Sequence, residues 1–418
     1  MSLEKPYKIT EDWVWIKAKD FMLFNPSESI KKGTIVKNIP MDKIKPKTKE
    51  ISSYETTEYK GGVKFRNGDT LMARITPCLE NGKISQVSIL DPDEIGVGST
   101  EFIVLREKPG VSDKDFIYYF SNSEYFKKPA IKSMVGSSGR QRVQKDVIEN
   151  LDILVPPLNT QKKIGKLLAQ FDKKISINEE INKNLEDTVL KIFDSWFVKF
   201  KLSNDLCDSK LGLIPKSWKI DYLGSKKSCS IIGSGIDEFD DSKIYIATAD
   251  VDNSIITSND TLITMDDKPS RANMQPVPKS IWFAKMIESR KLIMVDDYSN
   301  DLLDNYIFST GFCGLKCVDK YFYYLWAFLL SDTFDTIKNN FCTGTTMQAI
   351  NNKDIKLIEF VLPDDRTIDQ FNSIAKLMFK EIYYNNLEIK KLQKLRDTLL
   401  PKLMSGEIDV SEVNCDLE

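Results

Sequence analysis

The chain repeats itself after about 207 residues, and this duplication constrains its architecture more than any single motif. The stretches between the matching landmarks agree poorly, so the framework repeats while the remaining content diverges. A period this long exceeds the ~20–50 residues of a solenoid repeat and predicts two tandem domains instead. We expect one architecture presented twice, to two different targets. The matching segments are Ile9–Trp13 with Ile214–Trp218, Gly136–Ser138 with Gly344–Thr346, Lys145–Val147 with Lys353–Ile355, and Ile153–Pro156 with Phe360–Pro363.

Length and composition agree with two soluble domains. At ~150 residues per domain, 418 residues give two to three units. No apolar run approaches the ~20 residues that cross a bilayer, and the first residues lack the apolar core of a signal peptide. Seven cysteines, an odd number with irregular spacing, indicate reduced thiols. We therefore expect a cytoplasmic protein.

The net charge of −2 gives no global sign of nucleic-acid binding, but basic residues cluster in one segment. Such a cluster suits a strip that contacts phosphates. A solvated protein surface explains it as well, and composition alone favours that alternative. The clustered residues are Lys127, Lys128, Lys132, Arg140, Arg142 and Lys145.

Missing motifs narrow the chemistry. The chain has no histidine, which excludes Ser-His-Asp and Cys-His catalysis and imidazole zinc sites. It has no P-loop, and Gly233–Gly235 is followed by acidic residues that would repel a phosphate, so a simple turn is favoured there. Glu388 and Lys390 resemble a nuclease pattern only by chance, and no methyltransferase loop is found. We expect no catalysis, no metal and no cofactor in this chain.

After each copy, apolar residues recur at alternating steps of three and four, the pattern of a coiled-coil seam. Asn178 and Asn385 interrupt the seam 207 residues apart. A buried asparagine fixes the register of such a seam, although either residue alone could equally lie on a helix surface. We predict a long helix after each copy. If the two helices pack antiparallel, the asparagines at equivalent positions can pair their amides. The predicted helix-pair interface is Ile164, Phe171, Ile175, Asn178, Leu185 and Ile192 against Phe371, Met378, Ile382, Asn385, Leu392 and Leu399.

Five segments in the expected order give the chain a specific family resemblance. It resembles the specificity subunits of type I restriction-modification systems over nearly its whole length. The second half departs from the pattern of the first. Lys279–Lys285 lacks the Gly-Asp with which Gly68–Arg74 begins, and Phe308–Phe312 is only weakly similar to the Gly-Ser-Thr-Glu-Phe strand that begins at Gly98. The fold of that half is therefore better supported than any residue assignment in it. The matching segments are Gly68–Arg74, Gly98–Leu105, Leu154–Ile164, Gly212–Trp218 and Leu400–Ile408.

The resemblance implies an α+β protein in which two tandem mixed α/β target-recognition domains are separated by two long antiparallel coiled-coil helices, with pseudo-twofold symmetry. The expected bounds are residues 1–157 and 204–363 for the domains, and 158–203 and 364–418 for the helices. Each domain would read one half of a bipartite sequence in double-stranded DNA. Two modification subunits would carry S-adenosylmethionine, and restriction subunits would bind ATP and Mg²⁺.

Two other functions remain open on the sequence. A stand-alone enzyme is disfavoured by the missing motifs, and a coiled-coil scaffold that binds only protein would need loops indifferent to DNA. For a DNA reader, arginine pairs with guanine and glutamine with adenine in the major groove. The predicted DNA contacts are Arg140, Gln141, Arg142, Thr345, Thr346 and Gln348, with Arg74, Lys83, Arg271, Arg290 and Lys291 chosen only for charge beside strands.

Three large apolar residues follow the first seam and exceed what packing along one seam requires. They are Phe193, Trp196 and Phe197. Exposed apolar patches commonly mark protein interfaces. We therefore expect the modification subunits to dock near these helix ends.

Overall fold

The computed structural model describes residues 12–344 and 348–412. The chain divides into two compact units, which we call the first unit (residues up to 179 and from 385 onward) and the second unit (Glu180–Tyr384). Each long helix contributes one stretch to each unit. The predicted boundaries at residues 157 and 363 follow the ends of the sheets, whereas the compact units divide within the helices.

The first unit is built from short strands and helices that lead into the first long helix. Its strands are β1 (Val14–Lys17), β2 (Met22–Phe24), β3 (Ile35–Ile39), β4 (Glu55–Glu58), β5 (Val63–Phe65), β6 (Thr70–Ala73), β7 (Ile84–Gln86), β8 (Gly96–Gly98), β9 (Phe102–Glu107) and β10 (Asp152–Val155). The helices that begin in it are α1 (Ala18–Phe21), α2 (Lys114–Asn122), α3 (Glu124–Lys132), α4 (Lys145–Glu149) and α5 (Leu158–Phe193). A π-helical turn (Asp194–Val198) follows α5.

The second unit has the same components and some additional short ones. Its strands are β11 (Leu206–Ser209), β12 (Gly212–Pro215), β13 (Lys219–Tyr222), β14 (Cys229–Ile231), β15 (Lys243–Ile246), β16 (Val251–Asp252), β17 (Ile255–Ile256), β18 (Leu262–Ile263), β19 (Ala272–Met274), β20 (Ser280–Ala284), β21 (Leu292–Val295), β22 (Tyr306–Ser309), β23 (Phe312–Cys317) and β24 (Glu359–Leu362). The helices are α6 (Asn300–Asn305), α7 (Phe322–Leu330), α8 (Asp332–Asn340), α9 (Asn352–Ile355) and α10 (Asp365–Met404).

The sheets show that the sequence duplication is a duplication of topology. The first unit has a sheet ordered β2-β9-β6-β7, a sheet ordered β4-β3-β8-β5, and the pair β1-β10. The second unit repeats these as β14-β23-β20-β21, β18-β15-β22-β19 and β13-β24. The sheet ordered β4-β3-β8-β5 contains one parallel pair, β3 with β8. Its counterpart in the second unit contains the equivalent parallel pair, β15 with β22. The two units therefore carry one fold with different side chains.

In each unit one helix packs into the hydrophobic core. It is α2 in the first unit and α7 in the second. Asp113 caps α2 by accepting hydrogen bonds from the amides of residues 115 and 116, which satisfies donors that the first turn leaves free. Phe116 then meets Phe21 edge to face, with 6.0 Å between the ring centroids. In the second unit every residue of α7 is buried, so this helix lies inside its core.

The long helices α5 and α10 pack antiparallel. In the first unit Lys163 contacts Ser411, Asp172 contacts Arg396, and Asn178 contacts Glu388, so the residue number rises on one helix as it falls on the other. At 1.5 Å per residue, the 36 residues of α5 span roughly 54 Å. Its start at residue 158 directly follows two prolines. Residues that precede a proline disfavour the helical conformation, so the helix does not extend further towards the N-terminus.

Every residue of the predicted helix-pair interface is buried or half-buried. In the first unit Ile164 and Phe171 join a cluster that includes Leu399. In the second, Ile192 joins Phe371, with Met378 and Ile382 packed against the same cluster.

Asn178 and Asn385 are both buried, with 1% and 8% of their surface exposed. Asn178 donates its side-chain amide to a carboxylate oxygen of Glu388 at 2.7 Å. This contact was not expected from the sequence. The pairing of the two asparagine amides with each other stays a prediction.

The three large apolar residues after the first seam have a different role from the one expected. Phe193 and Phe197 are buried, and their rings lie 6.3 and 5.1 Å from that of Phe371. Trp196 is half-buried and packs against the same ring at 6.3 Å. The prediction that these three side chains form an exposed docking patch is wrong, because they complete the hydrophobic core of the second unit.

Candidate nucleic-acid interface

A short hairpin projects from the first unit between α3 and α4. Val135 and Arg142 exchange both backbone hydrogen bonds, at 3.1 and 2.9 Å, and close the hairpin at its base. Gly136 turns the chain at φ 137°, where a Cβ atom would stand 2.9 Å from the carbonyl oxygen of Arg140. Only glycine fits that position without strain.

The hairpin docks on the chain just beyond β6. The amide of Thr76 donates to the carbonyl of Gln141 at 3.0 Å, and the amide of Gln141 donates to the Thr76 hydroxyl at 3.1 Å. The base of the hairpin is therefore fixed on a rigid strand end. Its tip, with the Arg140 side chain, is exposed.

The second unit contains the same hairpin at the same place. Thr343 and Ala349 exchange backbone hydrogen bonds at 3.2 and 3.1 Å. The amide of Ile287, just beyond β20, donates to the carbonyl of Gln348 at 3.0 Å, as Thr76 does to Gln141. Gln141 and Gln348 thus occupy one register position in the two units, and Gln348 is exposed. The predicted contacts Thr345 and Thr346 lie outside the described residues.

Arg142, whose side chain is 43% exposed, is held by a carboxylate of the same unit. Its Nε and Nη2 atoms donate to Glu101, with Nη2 2.7 Å from Oε1. This hydrogen bond lowers the pKa of Glu101, so the carboxylate stays charged. Arg74 lies beside the pair and donates Nη2 to the carbonyl of Val143 at 3.1 Å. Arg74, Glu101 and Arg142 form what we call the charged triad, which leaves Arg140 as the exposed cation of this hairpin.

Besides Arg74, three more of the cations chosen for charge alone have partners within the protein. Lys83 donates to the carbonyl of Met41 at 2.9 Å, and Lys291 donates to that of Thr248 at 2.6 Å. Arg290 lies 2.9 Å from a carboxylate oxygen of Asp332. These contacts tie loop residues to helical segments, a structural role that their proximity to strands did not reveal. Arg271 differs, because its side chain is exposed beside β19.

The basic cluster noted in the sequence is partly neutralised. Lys128 pairs with Glu124 at 2.6 Å and Lys145 with Glu149 at 2.8 Å, each one helical turn away. Such exposed pairs contribute little to stability and fit a solvated surface. Arg140 and Arg142, in the hairpin, are the members of the cluster that lie at the candidate interface.

Two residues of the interface were missed by sequence reasoning, Glu101 and Lys285. Lys285 directly follows β20, and its amide donates to the carbonyl of Gly311 at 3.0 Å, just as the amide of Arg74 donates to that of Glu101 at 2.9 Å. Lys285 and Gly311 therefore replace Arg74 and Glu101. The sequence comparison already set Lys279–Lys285 against Gly68–Arg74, at an offset of 211 residues, but that segment departs from the family pattern, so no residue in it was assigned.

Within residues 12–344 and 348–412, no group of three or more histidine, cysteine, aspartate or glutamate side chains could hold a metal ion. No helix in that part of the chain is long and apolar enough to cross a membrane.

Comparison with known proteins identifies relatives of one kind. Residues 10–187 match the family described as type I restriction modification DNA specificity domain. The chain is 28% identical over 323 residues to the type I restriction enzyme MjaIX specificity subunit of Methanocaldococcus jannaschii, covering 73% of this chain and 71% of the relative. It is 30% identical over 225 residues to the EcoAI specificity subunit of Escherichia coli, covering 53% of this chain and 36% of that one.

A solved structure supports the same fold. The crystal structure of a type I restriction-modification S subunit from M. genitalium matches 96% of this chain and 98% of its own, with a TM-score of 0.50 and 14% identity. The predicted fold class, two mixed α/β domains joined by long helices, is confirmed.

Proposed function

Since the chain belongs to the family of type I restriction-modification specificity subunits, we propose that it reads a bipartite DNA sequence, one half through each unit. The observation that carries this is the pair of equivalent hairpins, docked on equivalent strand ends but bearing different side chains. A shared framework with divergent tips is what two readers of different half-sequences require. Family membership also disfavours the scaffold that binds only protein.

Side chains at the hairpins have the chemistry to read bases. Arg140 presents an exposed guanidinium, which can donate two hydrogen bonds to the O6 and N7 atoms of guanine. Gln141 and Gln348, at equivalent positions, can pair with adenine. Arg142 is held by Glu101 and would read a base only if DNA displaced that carboxylate. We therefore rank Arg140 above Arg142.

The first test is Arg140→Ala in the full-length chain, with binding measured on DNA selected by the unaltered protein and on unrelated DNA. A base contact is worth roughly 1–3 kcal/mol of discrimination, so we expect a loss of about 5- to 150-fold on the selected DNA alone. Lys128→Ala is the matched control, because it removes an exposed cation already paired with Glu124. An equal loss on both DNAs would make Arg140 a phosphate contact.

The second test exchanges one reader. Residues of roughly 211–362 would be replaced by the equivalent segment of a relative that recognises another sequence. We expect one half of the recognised sequence to change while the other half persists. A change in both halves would mean that the units read jointly. Steep salt dependence of binding would separate either result from a scaffold indifferent to DNA.

We further propose that α5 and α10 set the distance between half-sites and dock two modification subunits. Four residues inserted into each helix at matched positions add about one turn, or ~6 Å, equivalent to nearly two base pairs. The spacer of the recognised sequence should lengthen accordingly. An unchanged spacer in a folded variant would contradict this measuring role.

The remaining components of the proposal belong to other subunits. S-adenosylmethionine would be carried by the modification subunits, and ATP and Mg²⁺ by the restriction subunits, with this chain binding none of them and the complex acting in the cytoplasm. A methylation assay with the chain alone should be negative, and adding the modification subunits should restore activity. Methylation by the chain alone would contradict the assignment.

A further inference from the structure

A cavity of about 180 Å³ opens in the second unit where strands from both of its four-stranded sheets end. Its apolar floor includes Met274 and Phe312. The polar residues that line it are Ser234, Lys285, Thr310 and Asn352. This volume falls below the ~300 Å³ of the smallest typical small-molecule sites. The cavity therefore suits the edge of a larger molecule better than a whole cofactor.

The cavity lies beside the hairpin of the candidate interface. The amide of Ile350, next to the hairpin's closing pair, donates to the carbonyl of Lys285 at 2.9 Å. On another side, the amide of Thr310 donates to the carbonyl of the exposed Arg271, also at 2.9 Å. A molecule that contacted the hairpin could thus also reach this cavity.

Lys285 differs from its counterpart in the first unit because none of the described residues places an acid beside it. There, Arg74 lies next to the Glu101–Arg142 ion pair, so one carboxylate offsets two cations. In the second unit Gly311 and Ala349 replace Glu101 and Arg142. Among the described residues, the Lys285 ammonium has no hydrogen-bond or ion-pair partner, and no carboxylate lines the cavity.

An ammonium group beside hydroxyls and an amide recognises hydrogen-bond acceptors. In the major groove the acceptor-rich edge is that of guanine, with O6 and N7, whereas cytosine presents a donor that requires a carboxylate or another acceptor. We propose that Lys285 reads guanine in the half-sequence bound by the second unit, with the cavity receiving that base edge. This inference rests on the proposed DNA-reading function and adds a residue and a base to it.

The test compares Lys285→Gln with the unaltered full-length chain. Each protein would select duplexes from a random pool, and affinities would then be measured on the selected and on unrelated DNA. We expect the variant to lose its preference for guanine at one position in one half-sequence. Its affinity for the original selected DNA should fall by roughly 5- to 150-fold, with affinity for unrelated DNA unchanged.

Two further variants make the result specific. Lys285→Arg retains donors that match guanine and should keep the preference. Lys353→Gln removes an exposed cation adjacent in sequence to Asn352 but outside the cavity lining, and should leave the selected sequence unchanged. Thermal unfolding of each variant checks that the fold is retained.

The outcomes separate this inference from the function on which it rests. If Lys285→Gln selects the same sequence with the same affinity, Lys285 is not a reader, although the chain still reads DNA. An equal loss on selected and unrelated DNA would identify a phosphate contact and overturn the reading role. If the unaltered chain selects no sequence at all, both the proposed function and this inference fail.

Discussion

At one pair of equivalent positions, the two units hold the long helices through different contacts. In the first, Asp172 of α5 and Arg396 of α10 form a buried ion pair. Tyr119 of α2 donates its hydroxyl to the same carboxylate, and burial, with the Asp172 charge, raises the pKa of that hydroxyl so that it stays protonated. In the second unit, the positions 207 residues away in the repeat are Phe379 and Val189, both buried in an aromatic core.

The difference separates two roles, namely fixing the register of the two helices and holding the helices together. Apolar burial stabilises in proportion to area and tolerates small shifts along a helix. A buried ion pair contributes little net stability, because desolvation opposes the attraction, but a shifted register would leave Asp172 or Arg396 without its partner. We infer that the first unit fixes the alignment of the two helices and that the second supplies more of the binding energy between them.

The largest expected effect tests the aromatic contact. Phe371→Ala removes a fully buried ring that packs against Phe193 and Phe197. Such truncations cost about 3–5 kcal/mol, so we expect a fall of about 4 kcal/mol in the free energy of unfolding by urea. Leu377→Ala on the same helix is 68% exposed and should change stability by less than about 0.5 kcal/mol. Similar losses from both variants would contradict the stabilising role that we assign to the packing of Phe371.

The next effect tests the ion pair. Arg396→Met leaves the Asp172 carboxylate buried without its guanidinium and should destabilise the protein by about 3 kcal/mol. Adding Asp172→Leu removes the stranded charge and should recover most of that loss, as measured by the same urea titration. A double variant as unstable as Arg396→Met would show that packing, rather than charge, holds this site.

A smaller effect compares two buried tyrosines. Tyr119→Phe removes a hydrogen bond to a charged carboxylate, for which we expect a loss of about 2 kcal/mol. Tyr324→Phe in the second unit removes one to the neutral carbonyl of Val361 and should cost about 1 kcal/mol. Thermal unfolding of the two variants gives the ranking. Equal losses would mean that the hydrogen bond to the Asp172 carboxylate stabilises the protein no more than one to a neutral carbonyl.

The smallest effect concerns acid. A hydrogen bond from Arg66, together with Arg106, lowers the pKa of Glu28 to about 2, against ~4.3 in an unfolded chain. The stability from this depressed pKa is present above ~4.3 and is lost as the pH falls towards 2. In the second unit Lys316 occupies the position of Arg106 and donates to a backbone carbonyl. Hydrogen exchange between pH 5 and pH 3 should show the strands around Glu28 opening first.

Glu28→Gln is the control for the acid experiment. It removes the titrating group, so protection in the first unit should vary less with pH than in the unaltered protein. An unchanged pH dependence in this variant would assign the acid sensitivity to other carboxylates.

The features predicted from the sequence were those encoded by local pattern. The prolines at 156–157 and 363 precede the helix starts at Leu158 and Asp365, and the seam spacing selected residues that are buried or half-buried. The segments that form the hairpins were singled out because Gly136 and Gly344 recur at nearly the same offset, although their pairing as hairpins was not predicted. Periodicity and turn residues are short-range signals, which a single sequence carries well.

Features that depend on distant contacts were not predicted. Glu101 and Arg142 are 41 residues apart, so nothing local indicates that the arginine is held by that carboxylate. Lys285 was missed because Lys279–Lys285 departs from the Gly-Asp pattern of Gly68–Arg74, so no residue of that segment was assigned to the site. Phe193 and Phe197 were assigned to the surface because one seam has no place for them, whereas α7 and α10 together bury them.

The division of α5 and α10 between the units bears on synthesis. The first unit contains residues up to 179 and from 385 onward, and its contact between Asp172 and Arg396 joins residues 224 apart. A ribosome must therefore produce the whole second unit before the first can close. At ~5–20 residues per second, this wait lasts on the order of tens of seconds. Meanwhile the cluster that contains Ile164 and Leu168 lacks Leu403 and Met404, so the nascent first unit offers an incompletely covered apolar surface to chaperones until the end of α10 emerges.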